Sequence, residues 1–159
     1  MHIDWVHAFQ HLKKSLVLLS SCVLVSTMQS DVRTILVEVA NRVYQQLGPG
    51  LSEAVYTTAM VAELSAQRIH VEREVVIYIH YTTSNNRTVV AGSVRADMIV
   101  EDNVVVELKA VSGIRADHEL QCRMYMRHYK TDDGYPANKG IVINFPQKQE
   151  NGVEYLAIP

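Results

Sequence analysis

The stretch Arg95-Ala96-Asp97-Met98-Ile99-Val100-Glu101-Asp102-Asn103-Val104-Val105-Val106-Glu107-Leu108-Lys109 constrains this chain more than any other. Two β-branched runs flank a short polar turn, the pattern of a hairpin. Centred on Asp102, the hairpin sets Val100 opposite Val104 and Asp97 opposite Glu107. Opposed residues point to one side of a sheet, as do residues two apart along a strand. Asp97, Glu107 and Lys109 are therefore expected on one face. Two opposed carboxylates repel and weaken the pairing. A divalent cation between them, helped by the ammonium, offsets that repulsion, and hard oxygen ligands suit Mg²⁺ or Mn²⁺. The competing reading is a solvated hairpin in which Lys109 neutralises Glu107, because surface strands often carry such charges.

At 159 residues the chain is long enough for one domain with a real core. Its formal net charge of -2 argues against holding nucleic acid by bulk charge and leaves room only for a local basic patch. Cys22 and Cys122 form no Cys/His cluster, which argues against a structural zinc site. Two cysteines fit a reducing, intracellular compartment and leave one disulfide open.

Residues 1–29 differ from the rest. Lys13-Lys14 precede the apolar run Leu16 to Val25, which is too short to span a bilayer as a helix. Three readings stand: a helix packing on the domain or on a partner, an upstream extension of a domain starting near Met28, and a targeting segment. Leu19-Ser20-Ser21-Cys22 resembles a lipoprotein cleavage box, whereas Asp4, Trp5 and Phe9 do not suit a signal. An assembly role for this segment implies a homo-oligomer or a protein partner. His7 and His11, four apart, can bind metal on a helix but read more simply as surface.

From Ser30 a domain runs to the end of the chain. Val32, Ile35, Leu36, Val39, Val43 and Leu47 have helical spacing, and Gly48-Pro49-Gly50 stops that helix. Ser52 is expected to cap a second helix to about Ala66, on Val55, Tyr56, Ala59, Met60 and Leu64. Strands follow at Val71–Tyr81, Thr88–Val100, with Gly92 as a bulge or kink, and Val104–Val111. The third strand is apolar until Glu107, so it is expected to be central and covered on both faces. A third helix from Asp117 to Lys130, a loop from Thr131 to Lys139, and strands at Gly140–Phe145 and Val153–Ile158 complete the order. This is an α/β fold with a mixed sheet flanked by helices.

Other residues extend the acidic pair. Glu53, in the second helix's first turn, can supply another carboxylate. Gln121 is a lone amide beside Leu120, Met124 and Tyr125, and it can point toward the acids if the third helix covers the sheet. Arg123, Arg127 and Lys130 fall at i, i+4 and i+7, either a phosphate-tracking stripe or a solvated face. Arg95, two residues before Asp97, joins them as a nucleic-acid contact. His118 reads as a capping or solvent residue, Tyr56 as a core ring with a satisfied hydroxyl, and Cys122 as a small buried hydrophobe.

Several segments together resemble the GxxExxY proteins, a branch of the PD-(D/E)XK nuclease superfamily. They are Leu47 to Gly50, Gly50-Leu51-Ser52-Glu53-Ala54-Val55-Tyr56, Arg95-Ala96-Asp97, Val106 to Val111, Gln121, and Ile143-Asn144-Phe145. The resemblance spans about Asp31 to Phe145, with Ala96 standing where the superfamily's name has proline. It implies a restriction-endonuclease-like αβββαβ core behind an extra N-terminal helix. It also implies Mg²⁺-dependent hydrolysis of nucleic-acid phosphodiesters, DNA in preference to RNA. Asp97, Glu107, the Leu108 backbone carbonyl and Glu53 would then hold the metal, with Lys109 and Gln121 serving the attacking water. The alternative is a non-catalytic nucleic-acid-binding or assembly module that keeps the nuclease fold.

Overall fold

The computed structural model describes residues 31–159; the apolar run, Cys22 and the histidine pair of the first thirty lie outside them. Helix α1, Val32–Leu47, buries Leu36, Val39, Ala40, Val43 and Tyr44. Leu47, on the expected apolar face, is exposed instead. Gly48 ends the helix with φ 72°, and its N–H donates to the Tyr44 carbonyl at 2.8 Å. Helix α2, Glu53–Ala66, buries Tyr56, Met60 and Leu64, which follow one another at four-residue steps. Val55 lies about 100° off that stripe and is exposed, contrary to expectation. Ser52 stands at the N-cap, but its side chain makes no capping hydrogen bond.

Strands β1 (Val71–Thr82), β2 (Thr88–Val100), β3 (Val104–Lys109), β4 (Lys139–Asn144) and β5 (Glu154–Ile158) form one sheet in the order β1-β2-β3-β4-β5. Helix α3, Ala116–His128, joins β3 to its parallel neighbour β4, and the other pairings are antiparallel. The expected αβββαβ order is present, with α1 ahead of it and β5 after it. A β1–β2 register shift leaves Ala91 unpaired beside Gly92, where a bulge was expected. β3 is the central strand. Val104, Val106 and Leu108 pack with α1 and α2, while Val105 packs in a second cluster with Cys122, Tyr125 and Met126 of α3. Covered on both faces, β3 holds its side chains in a rigid setting.

Two boundaries fall short of the sequence reading. β3 stops at Lys109 rather than Val111, because the Asn144 side chain takes both main-chain groups of Val111. Its Oδ1 accepts from Val111 N–H at 2.9 Å, and its Nδ2 donates to the Val111 carbonyl at 3.1 Å. Helix α3 stops at His128 rather than Lys130. Tyr129 adopts extended geometry (φ -69°, ψ 134°), and Lys130 pairs with Pro136 in an isolated bridge inside the expected loop.

Candidate active site

The hairpin between β2 and β3 turns through Glu101 and Asp102, both left-handed (φ 50° and 55°), and pairs Val100 with Val104. The register continues through Ile99 with Val105 and Met98 with Val106, where the ladder ends. One step further Asp97 replaces the main-chain ladder with its side chain: Leu108 N–H donates to Asp97 Oδ2 at 2.7 Å. The strands thus part at the acidic pair, and Asp97 spans the fork.

Glu107 and Lys109 project from the C-terminal end of the central strand. Lys109 Nζ donates to Glu107 Oε1 at 2.6 Å. The Glu107 side chain is only 2% exposed, and its Oε2 is buried without a hydrogen-bond partner. Glu53, at the start of α2, is close enough for Asp97 and Lys109 to act on its titration. Asp97, Glu107 and Lys109, expected on one face, act on one another's titration, and Glu53 of the second helix is within reach of the same charges.

Their electrostatics follow from burial and mutual charge. Burial, then the charge of Asp97, pushes Glu107 up to about 7 against the pull of Lys109. Burial also raises Asp97, although the Leu108 N–H and the Lys109 charge oppose it. Glu53 is raised by burial and by Asp97. For Lys109, burial works against the ammonium, but the Glu107 hydrogen bond and the fields of Glu107, Glu53 and Asp97 outweigh it, so its pKa is raised. Three acids that resist ionising around one lysine form a site short of positive charge.

The surrounding residues place these groups. The ring of Tyr56, one turn after Glu53, stacks on Phe145, and Phe145 N–H donates to the Lys109 carbonyl at 2.8 Å. The Tyr56 hydroxyl donates to the Gly48 carbonyl at 2.7 Å and accepts from Leu51 N–H at 3.3 Å. Gly50 (φ 87°) turns the chain between them. The segment from Gly50 to Tyr56 is thus a clasp that holds Glu53 over the end of β3. The core-ring reading of Tyr56 holds.

Gln121 makes its side-chain hydrogen bond within α3. Its Nε2 donates to the Tyr125 hydroxyl at 2.7 Å rather than to a carboxylate. Tyr125 was read only as apolar, yet Glu107 and Asp97 both act on its hydroxyl, which places it near the acids. The i, i+4 spacing of Gln121 and Tyr125 was the available signal. Two of the expected nucleic-acid contacts have acidic partners: Arg95 lies 3.7 Å from Glu74, and Arg123 lies 2.9 Å from Glu119. Arg127 and Lys130 are exposed, but with α3 ending at His128 they do not continue one helical stripe. His118 is buried at the start of α3, where its Nδ1 accepts from Arg115 N–H at 3.2 Å, a capping role. Cys122 is a buried free thiol pushed up to about 12 by burial and by Glu107.

Residues 30–156 match the family model of the PD-(D/E)XK nuclease superfamily. The chain belongs to that superfamily. The match extends past Phe145 into β5, further than the sequence resemblance reached. A PD-(D/E)XK nuclease acts on nucleic acid, and such enzymes generally use divalent metals. The crystal structure of SSO0001 aligns over 66% of this chain with 18% identity and a TM-score of 0.49. This chain spans about half of that protein, 49% of its length. No curated protein matches.

The carboxylates of Glu53, Asp97 and Glu107 suit a divalent ion in kind, although their ligand atoms are not gathered within 4.8 Å of one another. The unpartnered, buried Glu107 Oε2 has a lone-pair requirement that the described residues leave unmet. A second group of metal-capable side chains lies at the other end of β3. His70, Glu72 and Asp102 have ligand atoms within 4.8 Å of one another, on exposed or half-buried side chains. His70 Nε2 lies 3.6 Å from Glu72 Oε1 and 3.5 Å from Asp102 Oδ1. Among the described residues no helix is long and apolar enough to cross a membrane.

Proposed function

We propose that this superfamily member hydrolyses phosphodiester bonds of DNA with Mg²⁺ or Mn²⁺, through Glu53, Asp97, Glu107 and Lys109. The observation that carries the reading is Glu107: a carboxylate at the fork of β2 and β3, buried, with one oxygen on Lys109 and the other unpartnered. Asp97, Glu107 and Glu53 are the side chains that would hold the ion. The Leu108 carbonyl joins them, since a strand residue's N–H and C=O leave on the same edge and its N–H already faces Asp97. When bound there, a divalent cation would supply charge to polarise the phosphoryl group and to lower the pKa of a water. Lys109 places positive charge where negative charge develops on the scissile phosphate. Gln121, fixed by Tyr125, orients the attacking water. Arg95, Arg123, Arg127 and Lys130 offer cations to the flanking phosphates.

The Gly50–Tyr56 clasp supports placement in the GxxExxY branch, because each signature position does something local. Gly50 turns the chain, Glu53 faces the acids and Tyr56 locks the turn. The decisive experiment is cleavage of plasmid DNA with Mg²⁺ or Mn²⁺ by the wild type and by Asp97→Asn. The wild type should cut and the variant should not, with unchanged circular dichroism. Cleavage by the variant at the wild-type rate sinks the site assignment.

One observation favours a second reading. Lys109 already pairs with one oxygen of Glu107, as it would in a non-catalytic binding or assembly module. Such a module would bind DNA or a partner without cutting, and Mn²⁺ would leave its stability unchanged.

A further inference from the structure

His70 is the last residue before β1, Glu72 is the second residue of that strand, and Asp102 lies in the turn between β2 and β3. The sheet brings them together: Val71 pairs with Val100, so β1 begins beside the hairpin turn. The main chain fixes the approach. Glu101 N–H donates to the His70 carbonyl at 3.1 Å, and His70 N–H donates to Glu101 Oε1 at 2.8 Å. With Glu101 engaged by the main chain, Asp102 is the turn carboxylate that meets the imidazole.

The donor atoms of the three side chains lie within 4.8 Å of one another. His70 Nε2 is flanked on two sides, by Glu72 Oε1 at 3.6 Å and Asp102 Oδ1 at 3.5 Å. An N–H···O hydrogen bond spans about 2.7–3.2 Å, and one ring nitrogen carries at most one hydrogen. Hydrogen bonding therefore explains neither separation. A tetrahedral ion with bonds of about 2.0–2.1 Å holds its ligand atoms about 3.4 Å apart. An octahedral ion with the same bonds holds adjacent ligand atoms only about 3 Å apart. The spacing at His70 matches the tetrahedral case. An imidazole among carboxylates also suits Zn²⁺ better than Mg²⁺, which prefers oxygen throughout. The side chains are half-exposed, so an ion can enter and keep a water as its fourth ligand. The surrounding charge favours a cation. Burial, then the charges of Glu72, Asp102 and Asp132, raises the Tyr129 hydroxyl, which brings Asp132 into the same neighbourhood. Asp102, Asp132 and Asp133 also line one cavity of about 480 Å³.

We propose that His70, Glu72 and Asp102 bind one Zn²⁺, with water completing the tetrahedron. The length of β3, about 17 Å, separates this ion from the acids around Lys109. It pins the start of β1 to the turn of the hairpin that carries Asp97 and Glu107. Zn²⁺ binding there needs no nuclease activity.

The test is isothermal titration calorimetry of the full chain with ZnCl₂, in an Asp97→Asn background that weakens competition from the active-site acids. Zn²⁺ should bind in the presence of excess Mg²⁺. Adding His70→Ala or Asp102→Asn should weaken that binding by more than about 100-fold, with unchanged circular dichroism. The double variant His7→Ala/His11→Ala should keep it. Co²⁺ in place of Zn²⁺ should give the intense visible absorption of a four-coordinate ion, and His70→Ala should abolish it. Zn²⁺ binding that survives both His70→Ala and Asp102→Asn overturns the site, as does binding lost with His7 and His11. Displacement by Mg²⁺, the faint spectrum of six-coordinate Co²⁺, or no Zn²⁺ binding at all overturns it equally. Asp102→Asn, nearly the same shape as the wild type, keeps the test open should His70→Ala fail to fold.

Discussion

The Tyr56 ring lies flat on Phe145, with centroids 4.1 Å apart and planes 4° from parallel. This contact couples the helix that presents Glu53 to the strand end that presents Lys109, through the Phe145 N–H on the Lys109 carbonyl. Tyr56→Phe keeps the stack and loses the hydroxyl bonds to Gly48 and Leu51. It should cost about 1 kcal/mol in urea denaturation, with a larger proportional fall in cleavage. Tyr56→Ala should cost about 3–5 kcal/mol.

Glu107 predicts an inverted pH dependence. Its carboxyl titrates near 4.5 when unfolded and near 7 when folded. Between those values the folded chain keeps a proton that the unfolded chain has released. The stabilisation from this group is complete below about pH 4.5 and is lost as pH rises through about 7. Glu107→Gln removes the titration, so in EDTA its Tm should exceed that of the wild type at pH 8, with the gap closing toward pH 4.5. A pH-independent difference, read by scanning calorimetry, would contradict the burial argument.

Metal should stabilise the fold through the same residues. At about 100 times its Kd a ligand of the folded state adds ~2.7 kcal/mol. Mn²⁺ should therefore raise the Tm of a His70→Ala background, in which the exposed trio is broken. It should not raise the Tm once Asp97→Asn is added. A shift that disappears with His70→Ala alone would move the ion to the other end of β3.

Gly140 is where α3 meets β4. A Cβ there would lie 2.5 Å from Met126 Sδ and 2.9 Å from Cys122 Sγ. Gly140→Ala should push α3 outward at a cost of about 1–3 kcal/mol. Because Gln121 and Tyr125 ride on that helix, cleavage should fall at temperatures where the variant is still folded by circular dichroism.

The hairpin register was readable because β-branched residues alternate around a single turn, and one turn leaves only one pairing that buries both runs. The central place of β3 followed from its unbroken apolar run. Tyr125 was hidden because a tyrosine amid apolar residues looks like core until its hydroxyl is located. Lys130 was assigned to a helix because nothing in its own residues announces the bridge to Pro136. Val111 was given to a strand because its apolar side chain fits one, while its main chain is claimed by Asn144, thirty-three residues away in sequence. Long-range side-chain contacts of that kind leave no local periodicity to detect.

The parting of β2 and β3 also dictates acid length. Asp97 already bridges the gap to Leu108 with one methylene, whereas Glu107 starts from the covered middle of the sheet and needs two to emerge. An aspartate and a glutamate at these positions are therefore not interchangeable: exchanging them preserves net charge while moving each anion by a carbon–carbon bond in the wrong direction.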